Sequence, residues 1–407
     1  LILTIKFVKI YKHRYKLGDR DMRTLIEFCD NEPVHNIMMC LQYMPSRLVF
    51  IGLRVLMTEE KKKKIKSILN IKGWKGQIEF IAVNCFDIES TVTAIERVVN
   101  GCGDCGIDLT GGSELTLLAL GIASKASPLN IYQVDVPSGE INAVMGRAEP
   151  PKNPLPSLSV SETVTLYGGK VKQNLKRPEP TEELLNDLDI MWSIYQSDFV
   201  AWKSQTEAFM NAGGYRGELA KINTRESRVF KQGVFDRLKE AGMVCECSEK
   251  EGILSFRFKN KDVHKLLADT GSILELQVLR AAKLLPQTFT DAVACVVIDW
   301  DGVINNGFDN KDTLNEIDGI LMRNMVPTFV SCKSGNYDRN SLYELDVVTH
   351  RFGGEYAVKL LVVNDPKQVK GSDYIRQRAA DMGIKLLENA YTYSACELAE
   401  KLAELTE

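Results

Sequence analysis

No apolar run in this 407-residue sequence reaches the ~18 residues that a bilayer-spanning helix requires, so there is no candidate for one. A basic excess is also missing. The formal net charge is −3, so overall charge does not announce a nucleic-acid partner and any basic surface must be local. Zinc-site spacing is absent as well. Cys102-Gly-Asp-Cys105 is the only Cys-x-x-Cys, no second pair stands at similar spacing, and Cys245 and Cys247 are too close and read as a strand. The pair is therefore read as a loop. Most of the ten cysteines sit inside apolar runs, where a reduced thiol behaves as a small hydrophobe. That usage leads us to expect a reducing, cytoplasmic setting. Internal repeats at solenoid spacing and low-complexity tracts are absent too.

What is present is the composition of a globular protein, 44% hydrophobic and 26% charged, with length for two or three domains. Leu1 to Tyr11 are apolar with interleaved lysines and the basic stretch after them, the reverse of a signal peptide. Met22 immediately precedes a clean strand pattern, and residues 1–21 are expected to be an upstream extension outside the core fold.

From residue 22 to 150 strands alternate with helices. Strands are expected at Thr24–Cys29, Arg47–Arg54, Ile78–Val83 and Ile107–Thr110, with a closing hairpin at Ile131–Asp135 and Ile141–Val144. Helices are expected at Ile37–Tyr43, Glu59–Asn70, Asp87–Asn100 and Leu115–Lys125. This order implies a mainly parallel, Rossmann-like sheet covered on both faces. Ligands bind such sheets beyond the carboxyl ends of the strands, where the loops Asp30–Asn36 and Thr110–Glu114 fall. The glycines of Thr110-Gly-Gly-Ser113 let backbone approach a ligand, and the following helix start offers free N–H groups to phosphate. The Lys61–Lys64 run reads as a solvated helix face.

Pro150–Pro156 breaks the pattern, and 151–180 is expected to be a linker or extension of the first domain. A helix capped by Thr181, an amphipathic helix at Val229–Ala241 ended by Gly242, and two strands at Met243–Cys247 and Ile253–Phe258 suggest a winged-helix-like module at 181–267. Its wing is short and acidic at the tip, which favours a structural or dimerising role over DNA contact.

Residues 268–407 read as helix (Asp269–Lys283), strand (Ala292–Asp299), a polar turn at 302–312, strand (Asn315–Met322), strand (Thr328–Lys333), helix (Ser341–Phe352) and strand (Tyr356–Val363). This order resembles the restriction-endonuclease-like PD-(D/E)xK fold, an α/β nuclease domain. Asp318 stands on the second strand, and Lys333 ends the third fifteen residues later. Glu275 lies on the first helix. The resemblance implies that Asp318 and Glu275 hold Mn²⁺ or Mg²⁺ with the backbone carbonyl of Cys332, since hard cations take oxygen ligands. Lys333 would then orient the attacking water and hold charge at the phosphate. Ser331 stands where the family has Glu or Asp, and Glu316 and Glu275 are the candidates to supply the missing charge. His350, on the helix after the motif strand, reads as a surface or core histidine.

Over 22–407 the chain resembles CRISPR-accessory nucleases that join an N-terminal CRISPR-associated Rossmann fold (CARF) domain to a C-terminal restriction-endonuclease-like domain. The resemblance rests on Thr110–Ser113, on Asn315-Glu-Ile-Asp318 and Ser331-Cys-Lys333, and on Arg376–Ile384 as a closing helix leading into a last strand. It implies a homodimer in which cyclic oligoadenylate, usually cyclic tetra-adenylate, binds across the two-fold and switches on cutting of single-stranded RNA or DNA, or nicking of duplex DNA. It assigns Thr110, Gly111, Gly112 and Ser113 to the ligand turn, and Asp30, Asn31, Glu32 and His35 to the facing loop. Glu114 replaces the family's Lys, and a carboxylate there repels phosphate unless it turns away or bonds an adenine amine. The alternative is a regulator that senses the ligand, binds DNA through its winged helix and carries a decayed nuclease fold.

Overall fold

The computed structural model describes residues 23–84, 87–125, 129–146, 156–172, 174, 177–214, 217–303, 314–335, 337–364 and 372–407. The extension expected at 1–21, all of the Pro150–Pro156 stretch but its last residue, and most of the turn expected at 302–312 lie outside them. Among the described residues, no helix is long and apolar enough to cross a membrane.

The chain is a mixed α/β protein. Its first part runs β1 (Thr24–Phe28), α1 (Met38–Tyr43), β2 (Arg47–Leu53), α2 (Glu59–Ile71), β3 (Gln77–Val83), α3 (Ile88–Asn100), β4 (Cys105–Asp108), α4 (Glu114–Ala123), β5 (Asn130–Val134) and β6 (Ile141–Met145). These strands form one sheet in the order β3-β2-β1-β4-β5-β6, parallel except for the last strand. The central strand β1 is buried along its whole length, as a sheet covered on both faces demands. Asp87 and Ser113 cap α3 and α4 through their side chains.

The segment at 151–180 differs from the expected linker. α5 (Val160–Leu166) opens with a capping box from Ser159 and Glu162, and β7 (Lys170–Lys172) joins the far sheet, antiparallel to its edge. Three residues with two lysines carry too little periodicity to be read as a strand from sequence.

Residues 182–267 form α6 (Glu182–Ser197), α7 (Phe199–Met210), β8 (Ala220–Asn223), α8 (Gln232–Glu240), β9 (Val244–Lys250), β10 (Ile253–Phe258) and α9 (Lys261–Leu267). The sheet here has three strands, β8-β10-β9, where the sequence suggested two. The extra strand is short and lies in a polar stretch.

The remainder is α10 (Ser272–Lys283), β11 (Asp291–Asp299), β12 (Leu314–Arg323), β13 (Val326–Lys333), α11 (Arg339–Gly353), β14 (Val358–Val363), α12 (Ser372–Asp381), β15 (Ile384–Glu388) and α13 (Ala395–Leu405). Its sheet runs β15-β14-β13-β12-β11-β7, antiparallel from β13 to β7 and parallel from β13 to β15. One face packs on α10 and α13 in a core continuous with residues 182–267. The other packs on α11 and α5 in a core that also takes in Leu25, Leu48 and Phe50 of the first sheet. The first and last parts of the chain thus share a hydrophobic core.

Candidate functional site

In the first sheet the chain leaves β1 for β2 on one side and returns to β4 on the other. The crevice between the loops that follow β1 and β4 is therefore the topological switch point, where parallel α/β sheets bind ligands. The structure brings both expected loops together there. Asp30 Oδ2 accepts the N–H of Gly112 at 2.8 Å and Asp30 Oδ1 that of Glu32 at 2.8 Å. Burial would raise the Asp30 carboxyl, but hydrogen bonding to His35 and to these N–H groups outweighs it and holds the group at about 2. Gly112 has φ +103°, and a Cβ there would stand 2.7 Å from Phe28 Cβ, so only glycine closes the turn. Thr110 Oγ1 accepts the N–H of Val134 at 2.8 Å, while Gly111 is buried against Phe28, Asp30 and His35. Ser113 caps α4, and Glu114 and Asn31 are exposed.

Beneath the turn, Asp108 and Glu27 are paired across β4 and β1, and both are buried. Desolvation pushes Asp108 up to about 6 and Glu27 well above the usual carboxylate range, the second with help from Asp108. Lys61, read from sequence as part of a solvated face, is half-buried instead. Desolvation lowers its pKa, and the charges of Cys29, Asp30 and Glu32 oppose that fall.

Glu32 and His35 do not face an open crevice. Glu32 Oε2 accepts the N–H of Glu355 at 3.0 Å, and Oε1 accepts the Tyr167 hydroxyl. His35 Nε2 lies 2.8 Å from the Tyr356 hydroxyl and 3.5 Å from Glu355 Oε1. Gly354 has φ +72° and a Cβ there would collide with Glu32 and Tyr167. Half of the expected binding loop is thus tied to the connection between α11 and β14 of the last domain.

The second constellation lies where β12 and β13 part. Their pairing ends at Gly319 and Val330, and the next residues, Asp318 and Ser331, open a fork. Asp318 Oδ2 sits in it, accepting the N–H of Cys332 at 2.6 Å and the hydroxyl of Ser331 at 3.2 Å. Burial raises the Asp318 carboxyl above its ordinary value, with the Cys332 N–H, the Lys333 charge and the Ser331 hydroxyl opposing. Val330 and Cys332 point into the core under α10, so Ser331 and Lys333 leave the strand on its other face. Among the described residues, the Lys333 side chain has no hydrogen-bond or ion-pair partner within range.

Glu275, in the first turn of α10, is 3% exposed. Desolvation, then the Asp318 charge, pushes it up to about 7. Its Oε2 accepts the Cys295 thiol at 3.1 Å. Cys295 stands across from Asp318 on β11 with φ +54°, a left-handed conformation that costs a non-glycine residue about 1–3 kcal/mol. Side-chain alternation skips there: Ala294 and Cys295 both face one core, Val296 and Ile298 the other. One strained backbone position thus lies beside the two carboxylates.

Arg177, which the sequence did not single out, joins this group. Its Nε donates to Glu316 Oε1 at 2.8 Å, its Nη2 lies 3.4 Å from Glu275 Oε1, and its Nη1 bonds Asp269. Glu316 is itself exposed, and so is His350 on α11.

No protein-family model and no curated protein matches the sequence. Solved structures do match in fold. Protein VC1899 from Vibrio cholerae superposes with a TM-score of 0.74 at 17% identity, over 95% of this chain and 98% of that one. Can2 from Sulfobacillus thermosulfidooxidans, solved in complex with cyclic tetra-adenylate, gives 0.65 at 15% identity, over 95% and 98%. The fold of this chain is therefore shared with both across nearly its whole length.

Proposed function

We propose that this chain is a ligand-switched, metal-dependent nuclease of CRISPR defence. In this reading a cyclic oligoadenylate binds at the switch-point crevice of the first sheet, and phosphodiester hydrolysis takes place at the fork of the last. The observation that carries it is the fork itself: Asp318 bonded to Cys332 and Ser331, with Glu275 buried beside it. The likeness in fold to a protein solved with cyclic tetra-adenylate supports the ligand class.

The residues in the fork fit a hard divalent cation. The Asp318 charge raises the affinity of Glu275 for a proton, and a cation would relieve that repulsion as a proton does. Among the described residues no three His, Cys, Asp or Glu side chains converge on one point. A pair of carboxylates is nonetheless the donor set by which Mg²⁺ is commonly held, with waters and substrate phosphate completing the shell. Asp318 and Glu275 would hold the ion. The Cys332 carbonyl would join them, since N–H and C=O of one strand residue point the same way and this N–H points at Asp318. Bound there, Mg²⁺ or Mn²⁺ supplies an activated water and neutralises charge on the phosphate.

The chain's own groups do the rest. Ser331 and the Cys332 N–H fix the Asp318 carboxylate in one orientation. Lys333, whose side chain has no hydrogen-bond or ion-pair partner among the described residues, orients the water and stabilises the charge that develops on the phosphate. Glu316 keeps the mouth of the site acidic in place of the missing carboxylate at position 331.

At the other end Lys61 suits phosphate, and the exposed face of α4 suits a second copy of the chain. Leu115, Leu118 and Ile122 recur along that face at helical spacing and are 37%, 51% and 44% exposed. A two-fold through α4 would set two crevices around one symmetric ligand. Closing that dimer would move the loop of Glu32 and His35, which is bonded directly to the last domain. The test is incubation with labelled RNA and DNA, Mn²⁺ and a panel of cyclic oligoadenylates. Ligand-dependent fragments support the nuclease. Ligand-dependent shifts of duplex DNA without fragments support a DNA-binding regulator with a decayed fork instead.

A further inference from the structure

We propose that Arg177 is the resident counter-cation of the fork, and that a divalent cation loads only by displacing its guanidinium from Glu275 and Glu316. The inference rests on the nuclease reading and deepens it. Arg177 spreads three nitrogens over three carboxylates on separate elements: Asp269 before α10, Glu275 on α10 and Glu316 on β12. Its Nη1 also donates to the Ser272 hydroxyl at 3.0 Å, and its side chain is only 20% exposed.

Both oxygens of Glu275 already have partners. One faces the guanidinium at 3.4 Å and the other accepts the Cys295 thiol at 3.1 Å. A divalent ion bound at Glu275 would therefore lie within a few ångströms of a fixed positive charge in a poorly solvated place. Such an arrangement is unfavourable unless one cation leaves. The guanidinium is the one that can leave, because it comes from outside the nuclease fold. It sits on the connector between β7 and α6, held at its carbonyl by Lys265 Nζ at 2.8 Å. Displacing it would loosen the segment between β7, the edge strand of the last sheet, and α6, so cation loading and the position of that connector are coupled. Without a cation, the same arginine keeps the carboxylates assembled and the fork closed.

The test is Mn²⁺ binding to the full-length protein without substrate, read as loss of the free-ion electron paramagnetic resonance signal. Arg177→Gln is expected to bind Mn²⁺ at least ~10-fold more tightly than the unaltered protein, as removing a unit charge at this range implies. Arg177→Lys separates displacement from charge alone. It keeps the charge, but its compact ammonium cannot bridge three carboxylates at once. The proposal expects Arg177→Lys to bind more tightly than the unaltered protein, by less than Arg177→Gln does. If Arg177→Gln does not fold, Arg177→Lys decides alone, and affinity equal to or below that of the unaltered protein overturns the proposal. Mn²⁺ binding that is lost in Asp318→Asn but unchanged by both Arg177 substitutions overturns this inference and leaves the nuclease reading standing. No Mn²⁺ binding by any form at millimolar ion overturns both.

Discussion

Asp30 and Glu275, one carboxylate from each of the two candidate sites, are built in opposite senses. In the N-terminal crevice, Asp30 is surrounded by N–H donors and held at about 2, so it is ionised at any physiological pH and serves as a clasp between two loops. In the C-terminal fork, Glu275 is pushed up to about 7 by burial and by a neighbouring carboxylate, with an arginine as its nearest cation. A satisfied carboxylate does structural work. One desolvated beside a like charge is poised to take a proton or a metal. The comparison separates a carboxylate held by N–H donors from one held against a like charge.

The strongest way to break this comparison is at the fork. Asp318→Ala and Lys333→Ala are each expected to lower the cleavage rate at least ~100-fold, the scale of losing a principal transition-state group, while cyclic tetra-adenylate affinity is unchanged. Gel assays with calorimetry on the same samples check both halves. The next effect belongs to the crevice. Gly112→Ala forces a Cβ against Phe28 at a positive φ and is expected to weaken ligand binding by about tenfold. Its cleavage at saturating ligand should be retained, and a binding isotherm gives the answer.

The join between the regions should give a smaller effect. Tyr356→Phe combined with His35→Ala removes the His35–Tyr356 bond and the 3.5 Å His35–Glu355 contact between the loop after β1 and the last domain. Ligand affinity should stay within about threefold, while the ratio of activated to basal cleavage falls by about fivefold, a typical coupling energy. Equal activation in the double variant would detach the loop from the switch.

Titration sharpens the contrast with the smallest signal. Glu275 has its folded pKa raised from 4.5 to about 7, so the metal-free folded state binds the extra proton across that window. Stability is then lost as pH rises from about 4.5 to 7. Asp30 is the reverse: lowered from 3.8 to about 2, it contributes stability above 3.8 that is lost as pH falls through 2. The melting temperature of the metal-free protein should therefore fall by a few degrees between pH 5 and 7.5 relative to Glu275→Gln, and added Mn²⁺ should abolish the difference.

Much of the architecture was legible in the sequence because both six-stranded sheets announce themselves through buried runs and capped helices. β1 and β2 are apolar enough to be read directly, and Asp318 and Lys333 stand at strand positions that periodicity locates. The two crevice loops were legible because they follow strands in a βαβ order. The rest depends on tertiary packing. Arg177 lies 92 residues from Asp269 and 139 from Glu316 along the chain, and no local pattern brings them together. Lys61 looked solvated because its neighbours Lys62 and Lys64 are paired with glutamates on the same helix, whereas it alone is turned toward Asp30 and Glu32. Glu32 and His35 lie on the loop after β1, but their partners Tyr167, Glu355 and Tyr356 come from distant segments. The left-handed backbone at Cys295 carries no glycine or asparagine to signal it.

The central claim is that occupation of the crevice controls cutting at the fork. Titrating cyclic tetra-adenylate into the protein with Mn²⁺ and labelled single-stranded substrate, while following bound ligand and cleavage rate together, tests it most directly. The account predicts that both rise in parallel and reach a plateau at one ligand for every two chains. A cleavage rate that stays flat while ligand binds, or cutting that is full without ligand, would contradict it.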